Sequence, residues 1–279
     1  MDQRCKACFI NNYDRLLEKF PLSNDHSLEF SEFFNNLMGD EGNKSSPEIQ
    51  RELHHKLRKL NGIADPYSEE KHQGNQIALK LYDEWKPKIL DSSDPFDLAL
   101  RLAIAGNIMD YGANHEFNVH ETIEKALNAD FALGSSQSLK KRISEAKKIL
   151  YLGDNCGEIV FDKLLIETMM HQDLIYAVKD SPIINDATLQ DAQEIGMDLV
   201  AEVISNGYDA PSTILEKCSP DFLSAFHSAD LIISKGQGNL EGLIDKKDSR
   251  IFFLFVVKCD VISERIAAEK GSIVILNQN

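Results

Sequence analysis

Residues Tyr151–Asp162 read YLGDNCGEIVFD. The apolar run that begins at Ile149, ILYL, stops at Gly153. A carboxylate and an amide, Asp154 and Asn155, follow side by side, and Gly157-Glu158 opens an amphipathic segment. A short, uniformly apolar run before an amphipathic one reads as a strand buried on both faces, feeding a helix. The pattern continues downstream. LIYAVKD, DLVAEVISNG, LIISKGQGN, RIFFLFVVK and SIVILN are short apolar runs, with segments such as NDATLQDAQEIG, PDFLSAFHSAD and VISERIAAEKG between them. Strands alternating with helices predict an α/β fold, a mostly parallel doubly wound sheet with helices on both faces.

Upstream the period is different. YDRLLEKF, IQRELHHKLRKLNGI, NQIALKLYDEW and DLALRLAIAGNIMDYG carry apolar residues at helical spacing, with breaks at Pro21, Pro47, Pro66, Pro87 and Pro95. Ser46 and Asp94 each precede a proline and a helical pattern, which suits a helix cap followed by Pro in the first turn. The chain therefore divides into an N-terminal helical bundle, 1–146, and an α/β domain, 147–279.

The chain has 279 residues, 43% of them hydrophobic, and a formal net charge of -15. That balance argues against sequence-independent nucleic-acid binding, which needs a basic footprint. The N-terminus has scattered charges and no apolar signal core, and IFFLFVV is too short to span a bilayer. The expectation is a soluble cytoplasmic protein with no membrane partner. Five cysteines, Cys5, Cys8, Cys156, Cys218 and Cys259, do not make a disulfide framework in a chain of this length. Cys5-x-x-Cys8 supplies two of the four ligands a zinc site needs, and equally reads as a pair that simply packs.

Ligands bind beyond the carboxyl ends of parallel strands, so polar residues that terminate strands are the site candidates. Three clusters qualify. Asp154-Asn155 with Glu158 offers hard oxygen donors of the kind that hold magnesium or manganese, and also fits an Asx turn with a helix cap. Asn185-Asp186, after the second strand, brings a second carboxylate to the same edge or caps the next helix. Ser234-Lys235-Gly236-Gln237-Gly238-Asn239 is not a Walker A loop, yet two glycines allow a backbone nest for phosphate oxygens, with Lys235 as a point charge. A fourth cluster is helical: Asn107 and Asp110 share a face at three-residue spacing.

GDNCGEIVFD, IIND and SKGQGNLEGL, in this order, resemble the damage-control phosphatases, the family of domain of unknown function 89. CKAC, DPYSEEKHQGNQIALKLY and DPFDLALRLAIAGNIMDYG resemble its stand-alone microbial branch with an N-terminal CxxC, so the likeness covers nearly the whole chain. The resemblance implies a divalent-metal-dependent phosphatase acting on a small phosphometabolite. It implies manganese, cobalt, nickel or magnesium held by Asp154, Asn155 and Asp186, with Lys235 on the phosphate. Asn107, Asp110, Glu158, Asn185, Gly236, Gly238 and Asn239 are the expected substrate contacts. Cys156 departs from the small residue more usual at its position. Two other readings fit the same clusters. One is an S-adenosylmethionine-dependent carboxyl methyltransferase, against which GDNCGE lacks a GxGxG pattern. The other is a phosphometabolite-binding module without turnover.

Overall fold

A computed structural model describes residues 2–39, 44–107 and 119–278. Seven helices come first: α1 (Gln3–Lys19), α2 (Asn24–Gly39), α3 (Ser46–Asn61), α4 (Ser68–Leu90), α5 (Pro95–Ala105), α6 (Val119–Asn128) and α7 (Ser136–Glu145). Then β1 (Ile149–Leu152), α8 (Glu158–Met169), β2 (Leu174–Val178), α9 (Leu189–Glu194) and β3 (Glu202–Ser205) form one half of a sheet. The other half is α10 (Pro220–Ser228), β4 (Leu231–Lys235), α11 (Gly236–Leu243), β5 (Ile251–Val256), α12 (Asp260–Ile266) and β6 (Ile273–Asn277).

The strand order is β3-β2-β1-β4-β5-β6. The first five of these strands run parallel, and β6 pairs antiparallel with β5. The α/β architecture expected from the apolar runs is therefore present. Alternation along each strand explains why those runs are apolar throughout. Ile149 and Tyr151 face one core layer with α4, α5 and α8, while Leu150 and Leu152 face a second layer with α10 and α11. Both faces are covered, so both side-chain sets are apolar. Helices α4 and α5 share their core with the sheet, whereas α1, α2 and α3 bury a cluster of their own around Phe30, Leu53 and Leu57. Asp94 caps α5 through the Asp97 N–H, as its spacing before Pro95 predicts. In α3 the cap is Ser45 rather than Ser46. Glu48 accepts from the Ser45 N–H and hydroxyl, which places Ser46 and Pro47 inside the first turn.

The chain winds outward from β1 to β2 and β3, then crosses over to β4 and β5 on the other side. The crevice at that reversal, beyond β1 and β4, is where such sheets bind ligands. One edge of it is closed by α3. Arg51, His55 and Arg58, spaced along one face of α3, all reach Asp209 in the loop after β3, with Arg51 Nε donating at 2.6 Å and Arg58 Nη2 at 3.4 Å. Arg58 Nη1 also donates to the Pro182 carbonyl at 2.7 Å. Removing Asp209 leaves this cationic face without its anchor. An Asp209→Ala variant is expected to lose about 1–3 kcal/mol of stability, the range for charge-assisted hydrogen bonds, with faster amide exchange concentrated in α3. Denaturant unfolding and hydrogen exchange check this.

Candidate functional site

Asp154 and Asn155 leave the end of β1, and Asn185 and Asp186 lie on the loop after β2. Backbone pairing holds the two loops together: Cys156 N–H donates to Asn185 O and Ala187 N–H to Asp154 O, both at 2.9 Å. Asn155 and Asp186 face each other across this short antiparallel bridge. The loop after β2 reaches it through Ile184, whose φ of 47° is unfavourable for a β-branched residue. A left-handed residue kept at such a place marks backbone strained to aim its neighbours. Asp154, Asn155, Asn185 and Asp186 thus line one pocket of about 200 Å³. Gln237, Gly238, Glu241, Pro211 and Lys258 line it from the sheet side, and Ser46, Pro47 and Gln50 from α3.

The pocket floor is a buried charge network. Lys235, at the end of β4, is fully buried and spends its three donors on Ala103 O at 2.8 Å, Glu158 Oε1 at 2.6 Å and Asp162 Oδ1 at 2.6 Å. Asp162 is one turn beyond Glu158 on α8. It also accepts from the Tyr151 and Tyr176 hydroxyls, both at 2.8 Å. Those tyrosines are register partners on β1 and β2 with stacked rings. The amide of Asn107 donates to Asp154 Oδ2 at 2.9 Å and Glu158 Oε2 at 2.8 Å, linking floor to pocket. Gly236 lies so close that a Cβ there would sit 2.0 Å from Asp154 Oδ2, and its φ of 77° also favours glycine.

Burial pushes the Asp154 carboxyl up to about 6, reinforced by Glu158. Burial pushes Asp186 up to about 8, against the pull of Lys179 and with added repulsion from Asp154. Burial alone would depress the Lys235 ammonium, but Asp162 and Glu158 outweigh it and hold it above the usual lysine value. Two carboxyls whose ionisation is resisted, in one crevice, are a mark of a functional centre.

Comparison with known proteins shows the family. The family profile described as the damage-control phosphatase ARMT1-like domain matches residues 1–274. The chain belongs to this family. It is 35% identical to the damage-control phosphatase PH1575 of Pyrococcus horikoshii, over 97% of this chain and 95% of that one. It is 34% identical to a damage-control phosphatase of Archaeoglobus fulgidus, over 80% and 79% of the two chains. An uncharacterized protein of Methanocaldococcus jannaschii, MJ0202, is 39% identical over 81% of this chain and 78% of its own length. The crystal structure of a DUF89 family protein from P. horikoshii superimposes with a TM-score of 0.91 at 32% identity, covering 100% of this chain and 99% of that one.

In this family member the residues expected at the site fall into two sets. Asp154, Asn155, Asn185, Asp186 and Gly238 line the pocket. Asn107, Glu158, Lys235, Gly236 and Asn239 lie behind it, buried, with Asn107 and Lys235 both donating to Glu158. Asn239 accepts from Lys179 Nζ and Thr213 Oγ1 and donates to the Gly153 and Lys235 carbonyls. The Lys235 ammonium, expected on a phosphate, points instead into the floor. Asp110 lies outside the described residues. Sequence reading missed Gln50 and Lys258 in the wall and Asp162 in the floor, and it gave no role to Gln237 or Glu241 within the Lys-Gly cluster. Asn75 was missed too; its Oδ1 accepts from Gly157 N–H at 2.7 Å.

The cysteines stay apart from this chemistry. The Cys156 thiol is buried and pushed well up by burial. Cys218 donates to the Ile214 carbonyl. Among the described residues no three His, Cys, Asp or Glu side chains are placed to hold a metal ion, so Cys5 and Cys8 have no completed set.

The pocket donors do suit a hard divalent ion. Asp186 Oδ1 is buried with no hydrogen-bond partner, the nearest cation being Lys179 Nζ at 3.7 Å. With the Asp154 carboxylate and the Asn155 amide lining the same pocket, the set is oxygen-rich.

Two outcomes follow from these charges. Lys235→Met strands two buried carboxylates and is expected to cost about 3–5 kcal/mol in denaturant unfolding. For Asp186 the folded value lies above the unfolded one, so its contribution to metal-free stability is present below pH 4 and lost as pH rises toward 8. Asp186→Asn is therefore expected to raise the melting temperature of metal-free protein at pH 8 and leave it nearly unchanged at pH 4.

Proposed function

We propose that the protein is a divalent-metal-dependent phosphatase that hydrolyses a small phosphorylated metabolite. The observation that carries this reading is the pairing of Asp154 and Asp186 across one backbone bridge, buried, resisting ionisation, and open to a small polar pocket. Asp154, Asn155 and Asp186 would hold the ion. When bound, a divalent ion polarises the phosphoryl group and neutralises its charge. The names of the Pyrococcus and Archaeoglobus relatives support the phosphatase class and a damaged metabolite as substrate.

The residues of the chain supply position and charge. Hydrolysis joins the oxygen of water to phosphorus and breaks the ester P–O bond, and the alcohol leaves with one proton of the water. In-line placement and charge stabilisation account for most of the rate in such reactions. Asn107, donating to Asp154 and Glu158, fixes the Asp154 carboxylate in one orientation. Gly238 and Gln237, in the first turn of α11, bring backbone close to the pocket; a Cβ at Gly238 would meet Pro211 O at 2.3 Å. Ser46, Gln50 and Asn185 present hydroxyl and amide groups to the rest of the substrate, which suits a polar leaving group.

The test is p-nitrophenyl phosphate hydrolysis by metal-stripped protein, with magnesium, manganese, cobalt or nickel added back. Turnover is expected only with a metal. Asp154→Ala and Asp186→Ala are each expected to lose at least about a hundredfold, more than loss of a supporting contact typically costs. Metal-independent turnover, or full activity in Asp154→Ala, would sink the assignment. Uptake of S-adenosylmethionine in calorimetry would point to methyl transfer instead.

A further inference from the structure

Two loops carry the proposed ion carboxylates, and one helix face touches the flanks of both. Lys71 and Asn75 lie one turn apart on α4, at a spacing that sets both side chains on the same face. Neither lines the pocket. Both are buried, Lys71 at 3% and Asn75 at 0% exposure, and buried polar groups need partners. Asn75 finds its partner beside Asp154, and Lys71 finds one beside Asp186.

Asn75 serves the loop after β1. Its Oδ1 accepts from the Gly157 N–H at 2.7 Å. Gly157 precedes α8 with φ 78° and ψ -54°, a rare and strained turn conformation. The N–H of a residue at that place has no partner within its own helix. The peptide that carries it joins Cys156 to Gly157, so its orientation is passed directly to Asn155 and Asp154 upstream. The carboxamide is itself keyed. Asn75 Nδ2 donates to Glu194 Oε2 at 3.1 Å, which fixes the end of the amide that meets Gly157. Glu194 ends α9, and its other oxygen accepts from Gln76 Nε2 at 3.1 Å.

Lys71 serves the loop after β2. Its ammonium lies 2.8 Å from Asp191 Oδ2 and 3.0 Å from Asp65 Oδ2. Asp191 Oδ2 also accepts from the Thr188 N–H at 2.8 Å and the Thr188 hydroxyl at 2.6 Å. Thr188 caps α9 and stands two residues beyond Asp186. The backbone bridge joins the loops at Asn155 and Asp186, and α4 holds them again where each runs into its helix. Like charges at Asp154 and Asp186 push the loops apart, whereas an ion shared between them needs oxygens at a set spacing. We propose that Asn75 is a positioning residue of the ion site: it holds Asp154 and Asn155 at the spacing from Asp186 that a divalent ion requires, with Lys71 anchoring the opposite loop. This rests on the metal-dependent reading above. Asn75 touches neither ion nor substrate and takes no part in bond making.

The experiment measures manganese affinity by calorimetry, hydrogen exchange of metal-free protein over residues 153–158, and p-nitrophenyl phosphate turnover. Asn75→Ala is expected to bind manganese about 10–100-fold more weakly, the scale for removing a group that orients a metal ligand. Its exchange at 153–158 is expected to quicken. Asn75→Asp keeps the acceptor for Gly157 but sets a carboxylate against Glu194, and is expected to bind manganese more weakly too. Adding Glu194→Gln to it exchanges amide and carboxylate, restores both hydrogen bonds, and is expected to recover most of the affinity. Gln76→Ala removes a contact to Glu194 that never reaches the loop, and should match wild type. A role in folding alone would lower the melting temperature of Asn75→Ala and leave manganese affinity at the wild-type value. That result overturns the proposal and leaves the phosphatase reading standing. So does a double variant that melts as wild type does yet binds manganese no better than Asn75→Asp. If wild type binds manganese without turnover, the phosphatase reading fails, and the affinities still decide on Asn75. If wild type binds no divalent metal, both fall.

Discussion

The structure depends on one buried cation. Lys235 reaches the floor of the crevice from β4 and meets two carboxylates of α8, a carbonyl of α5 and, through Asp162, two tyrosines of β1 and β2. A lysine taken out of water is tolerable only with such partners, and each partner is tolerable only because of the lysine. The network therefore fixes where α8 sits on the sheet and where α5 sits on α8. Asp154 rests on the same lattice through Asn107, so the geometry of the pocket is inherited from a charge balance that the pocket never touches.

Above that lattice the site stores unfavourable electrostatics. Asp154 and Asp186 are buried, close to other carboxylates and only partly compensated by Lys179. Folding tolerates this because the crevice is a small part of a large core, with both faces of the sheet covered. The same arrangement that destabilises the protein would favour the hard cation proposed above. On that reading, stability and ion affinity would draw on the same two side chains in opposite directions.

Most of the fold was legible in the sequence. Uniformly apolar runs such as ILYL and IFFLFVV mark the buried strands of the sheet, whereas the edge strand β3, EVIS, is partly exposed and lies within the mixed run DLVAEVISNG. The rule that polar residues ending strands form the site placed Asp154, Asn155, Asn185 and Asp186 in one pocket. Lys258, two residues beyond β5, satisfies the same rule, and was passed over because it stands alone rather than in a polar cluster. Lys235 was misplaced for a physical reason. Its position at a strand end was readable, but its direction was set by Glu158 and Asp162 on α8, a contact across 73 or more residues. Gln50 had no readable mark at all, because its presence in the wall depends on α3 docking through Asp209. The cap of α3 fell one residue earlier than expected because Ser45, and not Ser46, is three residues ahead of Glu48.

The wall that α3 contributes has a further consequence. The acidic groups come from loops of the sheet, whereas Ser46, Pro47 and Gln50 come from a helix that packs in a separate cluster with α1 and α2. On the proposed function, reactivity and selectivity would be encoded in distant parts of the gene. Substitutions at the start of α3 would change the shape of the pocket while Asp154 and Asp186 stay untouched. A division of labour of this kind would separate the side chains that set the pocket's outline from those that carry its charge.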